Sequence, residues 1–198
     1  KELAQNNKNL LLLDFKEQEK LKANTDSDEW IVVGKIINQL PENSVLHLGN
    51  SSPIRYLLNW NFILKDKNIE VQANRGTSGI DGCVSTAVGM AQADERKHTL
   101  IIGDLAMMYD RNGLWHKHIP SNLTIVVINN QGGGIFRKIE GPKKQPELEE
   151  YFVNAQPCDF ESLAKMHGLV YEQFRQIPTY LHEKMVANVP YLFEWLVE

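Results

Sequence analysis

Residues 100–130 read LIIGDLAMMYDRNGLWHKHIPSNLTIVVINN. This stretch contains two nearly uninterrupted apolar runs, at 100–102 and 123–128, joined by a segment long enough to hold a short helix. Continuous apolar runs are typical of parallel strands that are covered on both faces. Each run ends in small or polar residues, Gly103-Asp104 and Asn129-Asn130. The stretch therefore predicts two parallel strands with polar groups at their carboxyl ends.

The flanking sequence continues the alternation of apolar runs with helical periodicity. Further strands are predicted at 45–48, 71–73, 169–172 and 191–197. Helices are predicted at about 30–40, 53–60, 82–93, 147–152, 160–167 and 178–186, with a short crossover helix marked by Leu114, Trp115 and Ile119. This order favours an α/β fold with a doubly wound, mostly parallel sheet in three layers. In such sheets ligands bind beyond the carboxyl ends of the strands.

The amino-terminal segment differs from the rest of the chain. Residues 1–28 are rich in Lys, Asn, Asp and Glu, apart from an apolar patch at 10–13. We expect them to be a linker from an upstream domain, and residues 29–198 to form one domain. Because the chain begins with Lys1 rather than Met, we expect it to be a piece of a longer protein.

The composition argues against several classes of partner. The 21 basic and 25 acidic residues give a net charge of −4 and are dispersed, so no basic stripe is available to neutralise phosphates of nucleic acid. No apolar run approaches the roughly 20 residues of a membrane helix, so stable membrane insertion is not expected. The two cysteines, Cys83 and Cys158, lie 75 residues apart. Their spacing favours neither a disulfide scaffold nor a zinc site, and it favours a cytoplasmic location.

The residues that follow the first four predicted strands share one character: they are small, polar or glycine-rich. They read GNSS at 49–52, NRGTSGIDG at 74–82, GD at 103–104 and NNQGGG at 129–134. Glycines let backbone N–H groups approach an oxyanion, and Asp104 and Asn130 offer oxygen ligands for a hard divalent cation. Neither a P-loop nor a dinucleotide-binding glycine motif is present. The strand ends therefore predict a metal–diphosphate site, although Asp104 could simply cap a helix.

Gly103-Asp104 and Asn129-Asn130, separated by 24 residues, resemble the cofactor motif of thiamine diphosphate enzymes. The resemblance implies that this is their diphosphate-binding (PP-type) domain, with thiamine diphosphate as the cofactor. It also implies Mg²⁺, or Mn²⁺ in its place, as the metal bridging the cofactor's diphosphate. The implied metal ligands are Asp104, Asn130 and the carbonyl of Gly132.

A closer resemblance covers residues 30–170. The segments around Asn50 and Ile80, together with GDL at 103–105, YDRNGL at 109–114 and NNQGGGIF at 129–136, are similar to the 2-succinyl-5-enolpyruvyl-6-hydroxy-3-cyclohexene-1-carboxylate synthases of menaquinone biosynthesis. These transferases decarboxylate 2-oxoglutarate and add the resulting succinyl carbanion equivalent to isochorismate. Leu105 is the usual residue after the aspartate in this group.

The same resemblance assigns roles around the expected metal site. Ile80 would lie under the thiazolium ring, with Ile135 and Phe136 also lining the cofactor. Gly103 and Ser51 complete the cofactor contacts implied by the resemblance. Substrate carboxylates would be bound by Ser51, Arg55 and Arg75, with a further hydrogen bond from Asn50, although arginines at such positions could instead form ordinary surface ion pairs.

One catalytic part is missing from the sequence. Thiamine diphosphate enzymes use a glutamate on a separate pyrimidine-binding domain of a neighbouring subunit, and no residue here can be assigned that role. We therefore expect the partners to be the pyrimidine-binding domain of the full-length chain and neighbouring subunits of a homodimer or homotetramer, and the 198 residues alone to be inactive. Two alternatives remain: another thiamine diphosphate carboligase or decarboxylase, and a non-catalytic module of the same fold.

Overall fold

The computed structural model describes residues 29–57 and 60–197. The predicted linker at 1–28 lies outside the described residues. Six strands are present: β1 Val45–Leu48, β2 Glu70–Ala73, β3 His98–Gly103, β4 Leu123–Asn129, β5 Val170–Phe174 and β6 Tyr191–Leu196. The α-helices are α1 Glu29–Gln39, α2 Ser52–Tyr56, α3 Asn61–Asp66, α4 Cys83–Ala93, α5 Asp104–Tyr109, α6 Phe160–His167 and α7 Leu181–Val186. Short 3₁₀ turns occupy Arg111–Leu114, Gly134–Arg137 and Pro142–Lys144, and a π-helical turn spans Leu148–Val153.

The six strands form one sheet in the order β2-β1-β3-β4-β6-β5, and every neighbouring pair is parallel. The chain leaves β1 toward β2 on one side and returns to place β3 on the other side. The strand order therefore reverses between β1 and β3, which is where an open α/β sheet leaves a crevice for a ligand. The predicted α/β class with a parallel sheet is confirmed.

Helices cover both faces of the sheet. Successive side chains of a strand point to opposite faces, so neighbouring residues pack against different helices. Leu100 and Ile102 pack with the buried residues of α4 and α6, whereas Ile101 packs with those of α1 and α7. All seven residues of β4 are buried. The apolar runs at 100–102 and 123–128 therefore form strands, β3 and β4, that are covered on both faces, as expected.

The crossover between β3 and β4 differs from the prediction. The helix there is α5, which begins at Asp104 directly after β3 and buries Ala106 and Met107. Trp115, predicted as part of the helix, is 84% exposed. The apolar spacing of Leu114, Trp115 and Ile119 was misleading because only Leu114 among them is fully buried.

Across the described residues, the helices are too short or too polar to cross a bilayer.

Candidate active site

A cleft of about 160 Å³ opens at the carboxyl edge of the sheet, where the strand order reverses. Its walls come from the segments that follow β1, β3 and β4, together with Ile80. Nine of the predicted site residues line it: Asn50, Ser51, Ile80, Gly103, Asp104, Asn130, Gly132, Ile135 and Phe136. Arg55 and Arg75 are exposed side chains that are not among the lining residues. The fold thus brings together residues that are up to 86 positions apart in the sequence.

Asp104 is buried at the first turn of α5, with 2% of its surface exposed. Its Oδ1 accepts a hydrogen bond from the Leu105 N–H at 2.8 Å, and its Oδ2 accepts one from the Gly132 N–H at 2.7 Å. Burial raises the pKa of Asp104, and these backbone hydrogen bonds offset only part of that effect. The carboxylate therefore binds the backbone at the start of α5 and links it to the loop after β4, in a place where a bound cation would stabilise its charge.

The loop after β4 needs glycine at 132. Gly132 has φ of +126°, and an added Cβ would lie 2.5 Å from the backbone oxygen of Val153. The next residue, Gly133, donates its N–H to that same oxygen at 2.7 Å. A side chain at 132 would therefore clash with backbone and separate the loop from the Leu148–Val153 turn. The close approach of the Val153 carbonyl therefore explains why residue 132 is a glycine.

Two buried carboxylates orient the two asparagines of the motif. The Asn129 Nδ2 lies 2.6 Å from Oε1 of Glu194, and the Asn130 Nδ2 lies 2.9 Å from Oε1 of Glu29. A carboxylate only accepts hydrogen bonds, so each asparagine must present its NH₂ group to it. The oxygen of Asn129 then accepts the Gln131 N–H at 3.1 Å, which supports the start of the loop. Glu194 and Glu29 thus fix which end of the Asn129 and Asn130 amides faces them.

Glu29 is the centre of a polar cluster beside the cleft and is only 4% exposed. Its Oε2 accepts hydrogen bonds from the Tyr56 hydroxyl and from Nζ of Lys138, the latter at 3.1 Å. Burial by itself raises the pKa of Glu29, but the hydrogen bonds from Asn130 and Tyr56 and the charge of Lys138 outweigh it. The pKa is consequently lowered, and Glu29 is a carboxylate at neutral pH.

The loops after β1 and β2 are tied together by Asn50, which is 1% exposed. Its Nδ2 donates to the carbonyls of Asn74 and Gly79 at 2.8 and 2.6 Å, and its Oδ1 accepts from Arg75 at 3.0 Å. The observed contacts give Asn50 a structural role, which is to hold the 74–79 loop against the end of β1. Its substrate contact stays a prediction.

Ser51 and Arg55 belong to the segment that follows β1, with Arg55 in helix α2. Ser51 has φ of +76°, a left-handed conformation that is strained for a residue with a side chain and that recurs at functional sites. Arg55 donates to the Ser51 carbonyl at 2.6 Å. The arginine therefore supports the strained residue and still keeps an exposed guanidinium near the mouth of the cleft.

The apolar part of the cleft consists mainly of Ile80, Ile135 and Phe136, each half-buried. Phe136 is braced by Phe152, with ring centroids 5.6 Å apart. An apolar wall next to a polar, glycine-rich edge suits a ligand with a flat organic ring and a charged tail. The residues thus fit a diphosphate cofactor with an aromatic ring.

The donor set also fits a hard cation. Asp104, Asn130 and the Gly132 carbonyl offer one carboxylate, one amide oxygen and one backbone oxygen, the oxygen ligands that Mg²⁺ prefers. Within the described part of the chain, no three or more His, Cys, Asp or Glu side chains form a cluster suited to a metal. The predicted ligand set is of another kind, since Asp104 is its only residue of those four types.

The sequence interpretation missed Glu29, Tyr56, Lys138 and Glu194. Glu29 lies 101 positions from Asn130, and Glu194 lies 65 positions from Asn129. No local spacing relates these residues to the motif. The one sequence signal for Glu194 is its place as a charged residue in the otherwise apolar run YLFEWL of β6.

Comparison with known proteins agrees with the fold. Residues 63–194 match the family of the thiamine pyrophosphate enzyme, C-terminal TPP binding domain. The chain belongs to this family, and thiamine diphosphate is the cofactor of its class.

Within that class, the chain is similar to 2-succinyl-5-enolpyruvyl-6-hydroxy-3-cyclohexene-1-carboxylate synthases. It is 48% identical to the synthase of Cytophaga hutchinsonii over 144 residues, which cover 73% of this chain and 25% of that protein. It is 39% identical to the synthase of Desulfotalea psychrophila over 151 residues, which cover 76% of this chain and 28% of that protein. The resemblance seen in the sequence is confirmed, and the chain spans about a quarter of the length of these curated relatives.

A solved structure shows the same fold. Benzoylformate decarboxylase from Polynucleobacter necessarius matches with a TM-score of 0.67 at 14% identity, over 87% of this chain and 33% of that one. At this identity the likeness concerns the fold alone.

Proposed function

We propose that this chain is the diphosphate- and cation-binding domain of a synthase that decarboxylates 2-oxoglutarate and adds the succinyl unit to isochorismate in menaquinone biosynthesis. The observation that carries the proposal is the cleft in which Asp104, Asn130 and Gly132 meet. It is supported by the similarity of the chain to 2-succinyl-5-enolpyruvyl-6-hydroxy-3-cyclohexene-1-carboxylate synthases. The reaction class is a transfer of an acyl-carbanion equivalent with formation of a carbon–carbon bond.

The polar edge of the cleft would hold the cofactor's tail. Asp104, the oxygen of Asn130 and the carbonyl of Gly132 would ligate Mg²⁺ or Mn²⁺, and the glycine-rich backbone next to them leaves room for phosphate oxygens. When bound, thiamine diphosphate supplies a carbanion nucleophile and an electron sink for decarboxylation. The chain's own contribution is to orient the cofactor and to shield its ring with Ile80, Ile135 and Phe136.

The outer edge of the cleft would bind the substrates. Arg55 and Arg75 are exposed guanidinium groups, which suit bidentate binding of the carboxylates of 2-oxoglutarate and isochorismate. Ser51 lines the cleft on a strained turn and can offer its hydroxyl to a substrate or to the cofactor. Gly103 lets the backbone after β3 approach the cofactor, because no Cβ is present there.

Full activity is proposed to need a pyrimidine-binding domain and neighbouring subunits in addition to these 198 residues. The glutamate that activates the cofactor is expected on a pyrimidine-binding domain of a neighbouring subunit, and the assembled protein is expected to be a cytoplasmic homodimer or homotetramer. The 198-residue chain alone is then expected not to turn over 2-oxoglutarate. Decarboxylation of 2-oxoglutarate by the purified chain would contradict this part of the proposal.

The first experiment is a calorimetric titration of thiamine diphosphate with and without Mg²⁺, in this chain and in the full-length protein. Binding is expected to require Mg²⁺ and to be lost in Asp104→Ala. The matched control is Asp66→Ala, which removes an exposed aspartate at the end of α3 and should leave binding unchanged. Mg²⁺-independent binding, or binding that survives Asp104→Ala, would contradict the cation site. A full-length protein that does not bind would favour a non-catalytic module.

The substrate assignment has its own test. In the full-length protein, Arg75→Ala is expected to raise the apparent KM for one of the two acids by about tenfold or more, since a charge-assisted hydrogen bond contributes roughly 1.5–3 kcal/mol. Arg111→Ala removes another exposed arginine, outside the cleft lining, and is expected to leave both KM values unchanged. Equal KM values in wild type and Arg75→Ala would make the assigned role of Arg75 wrong.

A further inference from the structure

We propose that Glu29 is a positioning residue for the cation: its carboxylate holds the Asn130 amide so that Oδ1, not Nδ2, is presented to the metal. The inference rests on the proposed role of Asn130 as a metal ligand. Glu29 itself is not among the residues that line the cleft, so it would act through Asn130 rather than on the cofactor.

The geometry of the amide carries the first step. Asn130 lines the cleft, and its Nδ2 is 2.9 Å from Oε1 of Glu29. An amide has one acceptor and one donor end, and only the oxygen can ligate a cation. A carboxylate at this position binds the donor end and leaves the oxygen for the metal. The orientation of Asn130 therefore depends on an acceptor at the position of Oε1 of Glu29.

The contacts of Glu29 carry the second step, because they keep its two oxygens distinct. Oε2 accepts from Tyr56 and Lys138, whereas Oε1 accepts from Asn130. Tyr56 is the last residue of α2, which follows β1, and Lys138 follows the 3₁₀ turn after β4. Glu29 therefore joins two walls of the cleft and fixes Asn130 relative to both.

The chemistry predicts what a neutral replacement would do. In Glu29→Gln, the ammonium group of Lys138 can only donate, so the new amide would turn its oxygen toward Lys138 and its NH₂ toward Asn130. Asn130 would then have to rotate and use Oδ1 as the acceptor for that NH₂. The metal would lose its amide ligand although every residue of the predicted ligand set is still present.

A reciprocal exchange provides the test. In the full-length protein, the affinity for Mn²⁺–thiamine diphosphate is measured by calorimetry and by the electron paramagnetic resonance spectrum of Mn²⁺. Glu29→Gln is expected to weaken binding about tenfold, the usual size of an effect from a residue that orients a metal ligand. Asn130→Asp places two carboxylates side by side and should also weaken binding. The double variant Glu29→Gln/Asn130→Asp restores a donor–acceptor pair and is expected to recover affinity to within about threefold of wild type.

Controls separate this inference from a general effect on folding and from the proposed function. Glu183→Gln makes the same change at an exposed glutamate of α7, outside the cleft lining, and should leave the affinity unchanged. The melting temperature of Glu29→Gln without ligand shows whether that variant is folded. If Glu29→Gln binds as tightly as wild type while Asp104→Ala does not bind, the positioning role is wrong and the cation site stands. If Asp104→Ala binds normally, the cation site itself is wrong. A double variant no better than the worse single variant also contradicts the positioning role.

Discussion

Gly132 shows at the scale of one residue how backbone geometry and site geometry are linked. Its φ of +126° lies where side chains are strained, and its missing Cβ leaves space for the Val153 carbonyl. The same residue donates its N–H to Asp104. The conformation that closes the loop therefore also connects the loop to the buried carboxylate.

Replacement of Gly132 by alanine is expected to lower the free energy of unfolding by about 1–3 kcal/mol, because the positive φ and the clash with Val153 are both unfavourable. Mg²⁺-dependent cofactor affinity should fall as well. The measurement is urea unfolding followed by calorimetry. Gly89→Ala is the matched control: it lies in α4 with open space around its Cβ position, so alanine should stabilise by up to about 1 kcal/mol. Equal effects of the two variants would contradict the geometric argument.

At the scale of elements, β4, β5 and β6 share one buried carboxylate. Glu194 of β6 is 4% exposed and accepts from Asn129 at the end of β4 and from Tyr171 and Gln173 of β5. Burial and the neighbouring Glu194 raise the pKa of Tyr171, so its hydroxyl remains a donor. Three parallel strands are thereby joined through one side chain.

Glu194→Leu is expected to lower the free energy of unfolding by about 2 kcal/mol, because it leaves the buried donor of Asn129 and the half-buried hydroxyl of Tyr171 without their acceptor. The loss of the Asn129 contact should also weaken cofactor binding. Glu172→Gln serves as the control on β5. Its carboxylate pairs with Lys184 at 3.2 Å near the surface, so the cost should stay below about 1 kcal/mol. A smaller loss for Glu194→Leu than for Glu172→Gln would contradict this view of the sheet.

At the scale of the whole molecule, a buried histidine pair links β1 to β3 and makes the stability depend on pH. The His47 Nε2 lies 2.9 Å from the His98 Nδ1, and both rings are almost fully buried. Burial, reinforced by His98, lowers the pKa of His47 to about 4. Burial also lowers the pKa of His98, although Asp94 and Glu70 act in the opposite direction. Both rings are therefore neutral in the folded protein at neutral pH.

The sign of the effect follows from the lowered pKa values. Between the ordinary histidine pKa of about 6.5 and the folded value, the unfolded chain binds protons that the folded chain does not, so stability falls as pH falls. For His47 the loss between pH 7 and pH 5 is about 2 kcal/mol. Urea unfolding at pH 7, 6 and 5 measures it, and His47→Gln should flatten the dependence. His118→Gln removes an exposed histidine and should not. An unchanged slope in His47→Gln would contradict the assignment.

The sequence determined the parts of this protein that depend on local pattern and chain order. The continuous apolar runs predicted β3 and β4, and parallel strands necessarily bring their carboxyl ends to one edge of the sheet. The sequence therefore predicts that Asp104, Asn130 and Gly132 lie together, and the structure puts all three at the cleft. The roles of these residues toward metal and substrate remain predictions.

The tertiary structure alone decided how buried polar groups are paired. Glu29 meets Asn130 across 101 positions because α1 packs beside the loop after β4, and no spacing in the sequence encodes that contact. Trp115 shows a different failure of local pattern: its apolar spacing predicted a place in a helix, yet its side chain is 84% exposed. Periodicity reports which face of an element is apolar, whereas the partners of a buried carboxylate depend on how distant elements pack against one another.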